Sequence, residues 1–155
     1  MRTARFFLAA AALVAATGAL AQDTSLRANY GEVTLEAGFT PDPRVISLRA
    51  GGDISAQGAG SGCRGFITDA PDVRLFYEAG DYPLIISVDS SSDTTLVVNG
   101  PDGRWRCDDD SGVRGLNPSI RYNRPQSGRY EIWVGSYRAG TNARARLHIS
   151  ELRSQ

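Results

Sequence analysis

Apolar residues recur at every second position in short runs, and each run is cut off within a few residues by Gly, Pro, Asp or Asn. Val33, Leu35 and Ala37 alternate with Glu32, Thr34 and Glu36, and Leu84, Ile86 and Val88 lead into Leu96 and Val98. Successive side chains of a strand point to opposite faces, so this spacing predicts half-buried strands; no run carries helical spacing. The acidic and serine-rich stretch Asp89 to Asp93 reads as a loop. Asn99-Gly100-Pro101-Asp102-Gly103 reads as a hairpin turn, with Pro setting φ and Gly accepting a positive one. Further strands are predicted around Trp105 and Cys107, over Ser119 to Asn123, Tyr130 to Gly135 and Arg144 to Ser150. Pro125-Gln126-Ser127-Gly128 turns the chain between Asn123 and Tyr130. Eight or more strands at this spacing predict an all-β, two-sheet antiparallel β-sandwich, with Gly51 to Gly62 as a flexible surface loop.

The N-terminus adds a compartment. Arg2 and Arg5 precede an apolar run from Phe6 to Val14, and Ala19-Leu20-Ala21 supplies the small residues of a cleavage site. Residues 1–21 are therefore expected to be a signal peptide, leaving 22–155 as a single β-sandwich domain in the periplasm or secreted. The apolar run is shorter than the roughly 20 residues a membrane span needs, and no later segment is predicted to cross a bilayer. All 17 basic residues are Arg, against 17 acidic ones. A balanced chain without a basic stripe does not point to nucleic acid, and the absence of Lys excludes Schiff-base, Ser/Lys and phosphate-loop chemistry. Cys63 and Cys107, an even pair in an exported chain, are expected to form a disulfide; two free thiols or a metal pair are the alternatives, and no His lies near them in sequence to complete a zinc site.

Asp108-Asp109-Asp110-Ser111-Gly112 concentrates three carboxylates after a strand. Ca2+ would gather such oxygens, with Asp93, Asn99 and Asn117 on neighbouring turns completing a shell, although the spacing is not that of an EF-hand. A solvated turn in which the aspartates cap backbone N–H groups is the competing reading. Trp105 shares parity with Cys107 and is expected to face the core. Trp133, on the opposite face beside Glu131, is the candidate ligand-contact residue, or else it packs under a loop or an Arg stem. His148, the one histidine, alternates with Leu147 and Ile149 and should point outward with Arg144 and Arg146. No G-x-S-x-G follows residue 21, and three adjacent aspartates do not set two carboxyls across a substrate, so no catalytic residues are assigned.

Asp93-Thr94-Thr95-Leu96-Val97-Val98 with Pro101-Asp102-Gly103, the acidic Asp108 to Asp110 loop, and Ser127-Gly128-Arg129-Tyr130-Glu131-Ile132-Trp133-Val134 together resemble the bacterial pre-peptidase C-terminal domain. The resemblance covers about residues 72–151 and leaves Tyr30 to Phe66 as an N-terminal extension. It implies a jelly-roll-like sandwich that accompanies secreted proteases without being catalytic, with acidic calcium ligands falling on Asp93 and Asp108 to Asp110. The expected function is an exported, non-catalytic binding or accessory module whose partner is a protein or polysaccharide surface. A small secreted hydrolase and a structural envelope protein are the alternatives.

Overall fold

The computed structural model describes residues 22–155; the expected signal peptide lies outside the described residues. Eleven strands follow in chain order: β1 (Glu32–Glu36), β2 (Arg44–Ala50), β3 (Ile54–Ser55), β4 (Phe66–Ile67), β5 (Val73–Glu78), β6 (Leu84–Ser90), β7 (Thr94–Asn99), β8 (Trp105–Asp108), β9 (Ser119–Tyr122), β10 (Gly128–Ser136) and β11 (Ala143–Ser150). They form two sheets. The four-stranded sheet runs β2-β11-β6-β9; in the seven-stranded sheet β1, β5, β10, β7 and β8 lie side by side, and β4 joins the end of β10 and carries β3.

This order is that of a jelly roll. Counting β2 and then β5 to β11 as eight successive strands, one sheet holds the first, eighth, third and sixth, and the other the second, seventh, fourth and fifth. Consecutive strands alternate between sheets except at the β7–β8 hairpin, where Gly103 donates its N–H to Gly100 O at 2.9 Å and takes φ 72°. The alternating residues meet in the middle. Leu75, Tyr130, Ile132, Val134, Leu96 and Val98 from one sheet pack on Leu48, Leu147, Ile149, Leu84, Ile86 and Val88 from the other. Burying one such side chain contributes about 1.5–3 kcal/mol, so these inward rows hold the sheets face to face.

Two expectations are corrected. The sandwich is antiparallel except at its margin, where β1 pairs with β5 in parallel, Val33 opposite Leu75. The chain leaves β1 for β2 in the other sheet, so β1 has no hairpin partner of its own and adds to the free side of β5. The Gly51 to Gly62 stretch is built into the fold: it contains β3 and a 3₁₀ turn, Ala56–Ala59, with Ser55 Oγ accepting from Gln57 N. Ala56, Ala59, Cys63 and Ile67 form a second apolar cluster on the outer side of the seven-stranded sheet, over Val97 and Trp133. Gly135 permits that close approach, since a Cβ there would stand 2.4 Å from Thr95 Oγ1 and 2.8 Å from Ile67 Cγ2.

Candidate functional site

The acidic loop follows β8. Asp108 Oδ2 accepts from Ser111 N (2.9 Å) and Ser119 N (2.8 Å), while Oδ1 accepts from Ser111 Oγ (2.6 Å). It therefore pins the loop to the start of β9. Asp109 lies 3.8 Å from Arg64, just past Cys63, and Asp110 is exposed. Asn117 is buried: its Oδ1 accepts from Thr94 Oγ1 (2.8 Å) and its Nδ2 donates to Ser90 O (2.9 Å). Asn99 donates to Gly103 O at 3.1 Å and so braces the hairpin. Among the described residues Asp93 Oδ1 has no hydrogen-bond partner, and burial first, then Asp110 and Asp109, push its carboxyl up. The structure thus brings Asp93, Asp109 and Asp110 into one negative field and commits Asp108 and Asn117 to backbone and hydroxyl groups. Among the described residues no three His, Cys, Asp or Glu side chains are grouped to hold a metal ion.

Trp133 is not an exposed contact residue. Its exposure is 0%, its Nε1 donates to Asp69 O at 3.3 Å, and its ring lies 5.3 Å from that of Trp105. Both tryptophans stand on the outer side of the seven-stranded sheet, together with the Cys63–Cys107 disulfide, because Trp133 pairs with Val97 and Val97 with Cys107 across the ladder. The disulfide therefore ties down the β3–β4 cover and does not sit between the sheets. Ile132-Trp133-Val134 carries the signal for this, since three successive large apolar residues mark a strand covered on both faces.

The outer face of the four-stranded sheet is a feature that the sequence reading did not single out. Ala145, Leu147 and Ile149 turn inward, which leaves Arg144, Arg146 and His148 outside. Cross-strand rows place Arg49 opposite Arg144, Ser47 and Asp89 beside Arg146, and Val45 and Ser87 beside His148. Asp89 bonds Arg146 and lies 3.3 Å from Arg114; the Arg146 bond first, with Arg114 adding to it, holds its carboxyl below the usual range. A hollow of about 410 Å³ opens here, lined by Ser47, Asp89, Ser91, Arg114, Arg144 and Arg146. His148 shares this face as expected but is only 7% exposed. The segment after β11 folds back beside it, with Gln155 N donating to Ser87 Oγ (3.1 Å) and Ser154 Oγ to Ser119 Oγ (2.8 Å). Among the described residues neither ring nitrogen has a hydrogen-bond partner; burial, then Arg146, push the imidazole pKa down.

Fold and site together define a jelly-roll β-sandwich with a disulfide-tied cover on one outer face and an arginine-rich surface on the other. No protein-family profile matches the chain, and no curated protein matches it. Among solved structures, a periplasmic inhibitor of g-type lysozyme from Aeromonas hydrophila is similar at 18% identity and a TM-score of 0.39, over 77% of this chain and 96% of that one. A likeness of that degree carries no inference about activity or partner. Among the described residues no helix is long and apolar enough to cross a membrane.

Proposed function

We propose that the chain is an exported, non-catalytic binding or accessory module of the pre-peptidase C-terminal type, working in the periplasm or outside the cell on a protein or polysaccharide surface. The family resemblance is supported by where its motifs fall. The Asp93-led run becomes β7, the Pro101-Asp102-Gly103 turn closes the β7–β8 hairpin, and the Ser127 to Val134 run becomes β10. Calcium belongs to this reading as a stabiliser of the acidic loop, through Asp93, Asp109 and Asp110.

The observation that carries the non-catalytic reading is the setting of His148. Ser87 stands across the ladder from it and Asp89 lies on the next row, which are the residue types of a hydrolytic triad. A working triad needs the base hydrogen-bonded to an accessible nucleophile. Ser87 is fully buried and accepts from Gln155 N, neither nitrogen of His148 is bonded among the described residues, and Asp89 is held by Arg146 and Arg114. The test is hydrolysis of casein and of p-nitrophenyl esters by the purified protein. Any trace of activity is expected to be equal in wild type and in His148→Ala and Ser87→Ala variants of unchanged circular dichroism. Activity abolished by either substitution would overturn the reading in favour of a hydrolase.

A further inference from the structure

Building on the binding-module reading, we propose that the outer face of the four-stranded sheet, around Arg49 and Arg144, is a docking surface for an acidic polypeptide segment of a protein partner. Arg49 donates its N–H to Tyr30 Oη at 2.9 Å, away from β11. In an antiparallel ladder a residue whose N–H points away from its neighbour belongs to a non-hydrogen-bonded pair, the kind in which facing side chains come closest. Arg49 and Arg144 are such a pair, and both are exposed. Like charges directly opposite one another destabilise a sheet, so an anion laid across the two is favoured on both sides of the pair.

The protein's own carboxylates do not fill that role. Asp89 is the one acidic side chain lining the hollow beside Arg144 and also the smaller one of about 300 Å³ beyond it, lined by Arg114, Arg146 and Arg153. It already serves Arg146 and Arg114. Among the described residues Arg49, Arg144 and Arg153 have no ion-pair partner. Arg49 spends one guanidinium N–H on Asn142 O, at 3.4 Å.

The surroundings favour a polypeptide over a bare polyanion. β2 is the margin of its sheet, so on its open side the N–H groups of Val45 and Ser47, in phase with Arg49, face away from β11. Among the described residues only that of Arg49 is covered, by Tyr30. Val45 and Tyr30 are 42% and 40% exposed along this edge. An extended segment adding to β2 would take up the free backbone donors, set apolar side chains on Val45 and Tyr30, and bring Asp or Glu carboxylates over Arg49 and Arg144. Tyr and Arg are also the residue types that dominate protein interfaces.

The test is fluorescence anisotropy of a fluorescein-labelled glutamate decapeptide titrated with the mature chain at low salt. Arg49→Gln/Arg144→Gln is compared with Arg104→Gln/Arg124→Gln, an equal loss of charge at exposed positions outside this face. Binding is expected in wild type and in the Arg104/Arg124 variant, at least about tenfold weaker in the Arg49/Arg144 variant, and weakened by added salt. No decapeptide binding in wild type, or equal loss in the two double variants, would overturn the proposal. A heparin oligosaccharide of matched charge binding more tightly than the peptide would overturn it too, in favour of a glycan. Thermal melts check that each variant is folded, and Arg144→Gln alone should give an intermediate loss. Failure here without hydrolysis leaves the module non-catalytic and removes only this surface, whereas hydrolysis lost in His148→Ala removes the underlying reading.

Discussion

Asp72 shows how much a single buried carboxylate sets the pH response. It is 2% exposed just before β5; its Oδ2 accepts from Val134 N at 2.7 Å and its Oδ1 from Asn29 Nδ2 at 3.4 Å. Burial outweighs those bonds and pushes the carboxyl up to about 7 from an ordinary 3.8. Between those values the folded chain holds a proton that the unfolded chain has released. Its contribution to stability is therefore fully present below pH 3.8 and is lost as pH rises through 7, by an amount on the order of a few kcal/mol. Asn at this position stays neutral and can still accept from Val134. Asp72→Asn should match wild type in melting temperature only below pH 3.8, gain on it progressively as pH rises toward 7, and exceed it most at pH 8. Parallel pH profiles for the two proteins would show that Asp72 is not the source of the slope.

At the scale of elements, the strands that alternate were legible and the elements that cover them were not. β6, β7 and β11 were readable because each buries one face in the inter-sheet core and the period of two records it. The β3–β4 cover was not, because its small and polar residues acquire their role only from Trp133 and Val97, far away in sequence. For the same reason the parity of Glu131 was readable, but not its burial to 1% beneath Arg74 and Arg129. The β8–β9 connection was half legible: its carboxylates were singled out, but which of them would be consumed by the turn depends on Ser111 and Ser119 arriving beside Asp108. Calcium would have to draw Asp110 toward Asp93 and release Asp109 from Arg64. If it does, stability rises as RT ln(1 + [L]/Kd), about 2.7 kcal/mol at a hundredfold excess over Kd. Melting temperature should then climb with calcium, much less with magnesium, and not at all in Asp110→Asn. Equal responses to the two ions would leave the loop as a capped turn.

In the whole molecule, a jelly roll passes its chain from sheet to sheet at the two ends, where backbone groups leave the ladders and need other partners. A buried polar hub closes each end. At one, Asn117 holds Ser90 at the end of β6 and Thr94 at the start of β7. At the other, the Glu151 carboxylate accepts from Gly38 N at 2.9 and 3.1 Å and from Tyr77 Oη at 2.6 Å, while Asp42 accepts from Glu151 N at 2.8 Å and Ser150 Oγ at 2.5 Å. That hub joins β11 of one sheet, β5 of the other and the β1–β2 crossover. Burial first, then the Glu151 bond, push the Tyr77 phenol up, so it remains a donor throughout the working pH range. Glu151→Ala strands Tyr77 Oη and Gly38 N without a carboxylate in a site that is 6% exposed. Its cost should be roughly 3 kcal/mol, since hydrogen bonds to a charged group contribute about 1.5–3 kcal/mol and an orphaned buried donor costs about as much. Tyr77→Phe removes one donor and leaves Glu151 bonded to Gly38, so it should cost about half of that. Urea titrations of the oxidised protein give both values, and an unchanged slope would confirm that the folded and unfolded ensembles are otherwise alike. A loss of under about 0.5 kcal/mol for Glu151→Ala, the size of an ordinary surface substitution, would mean that the core alone holds the two sheets together.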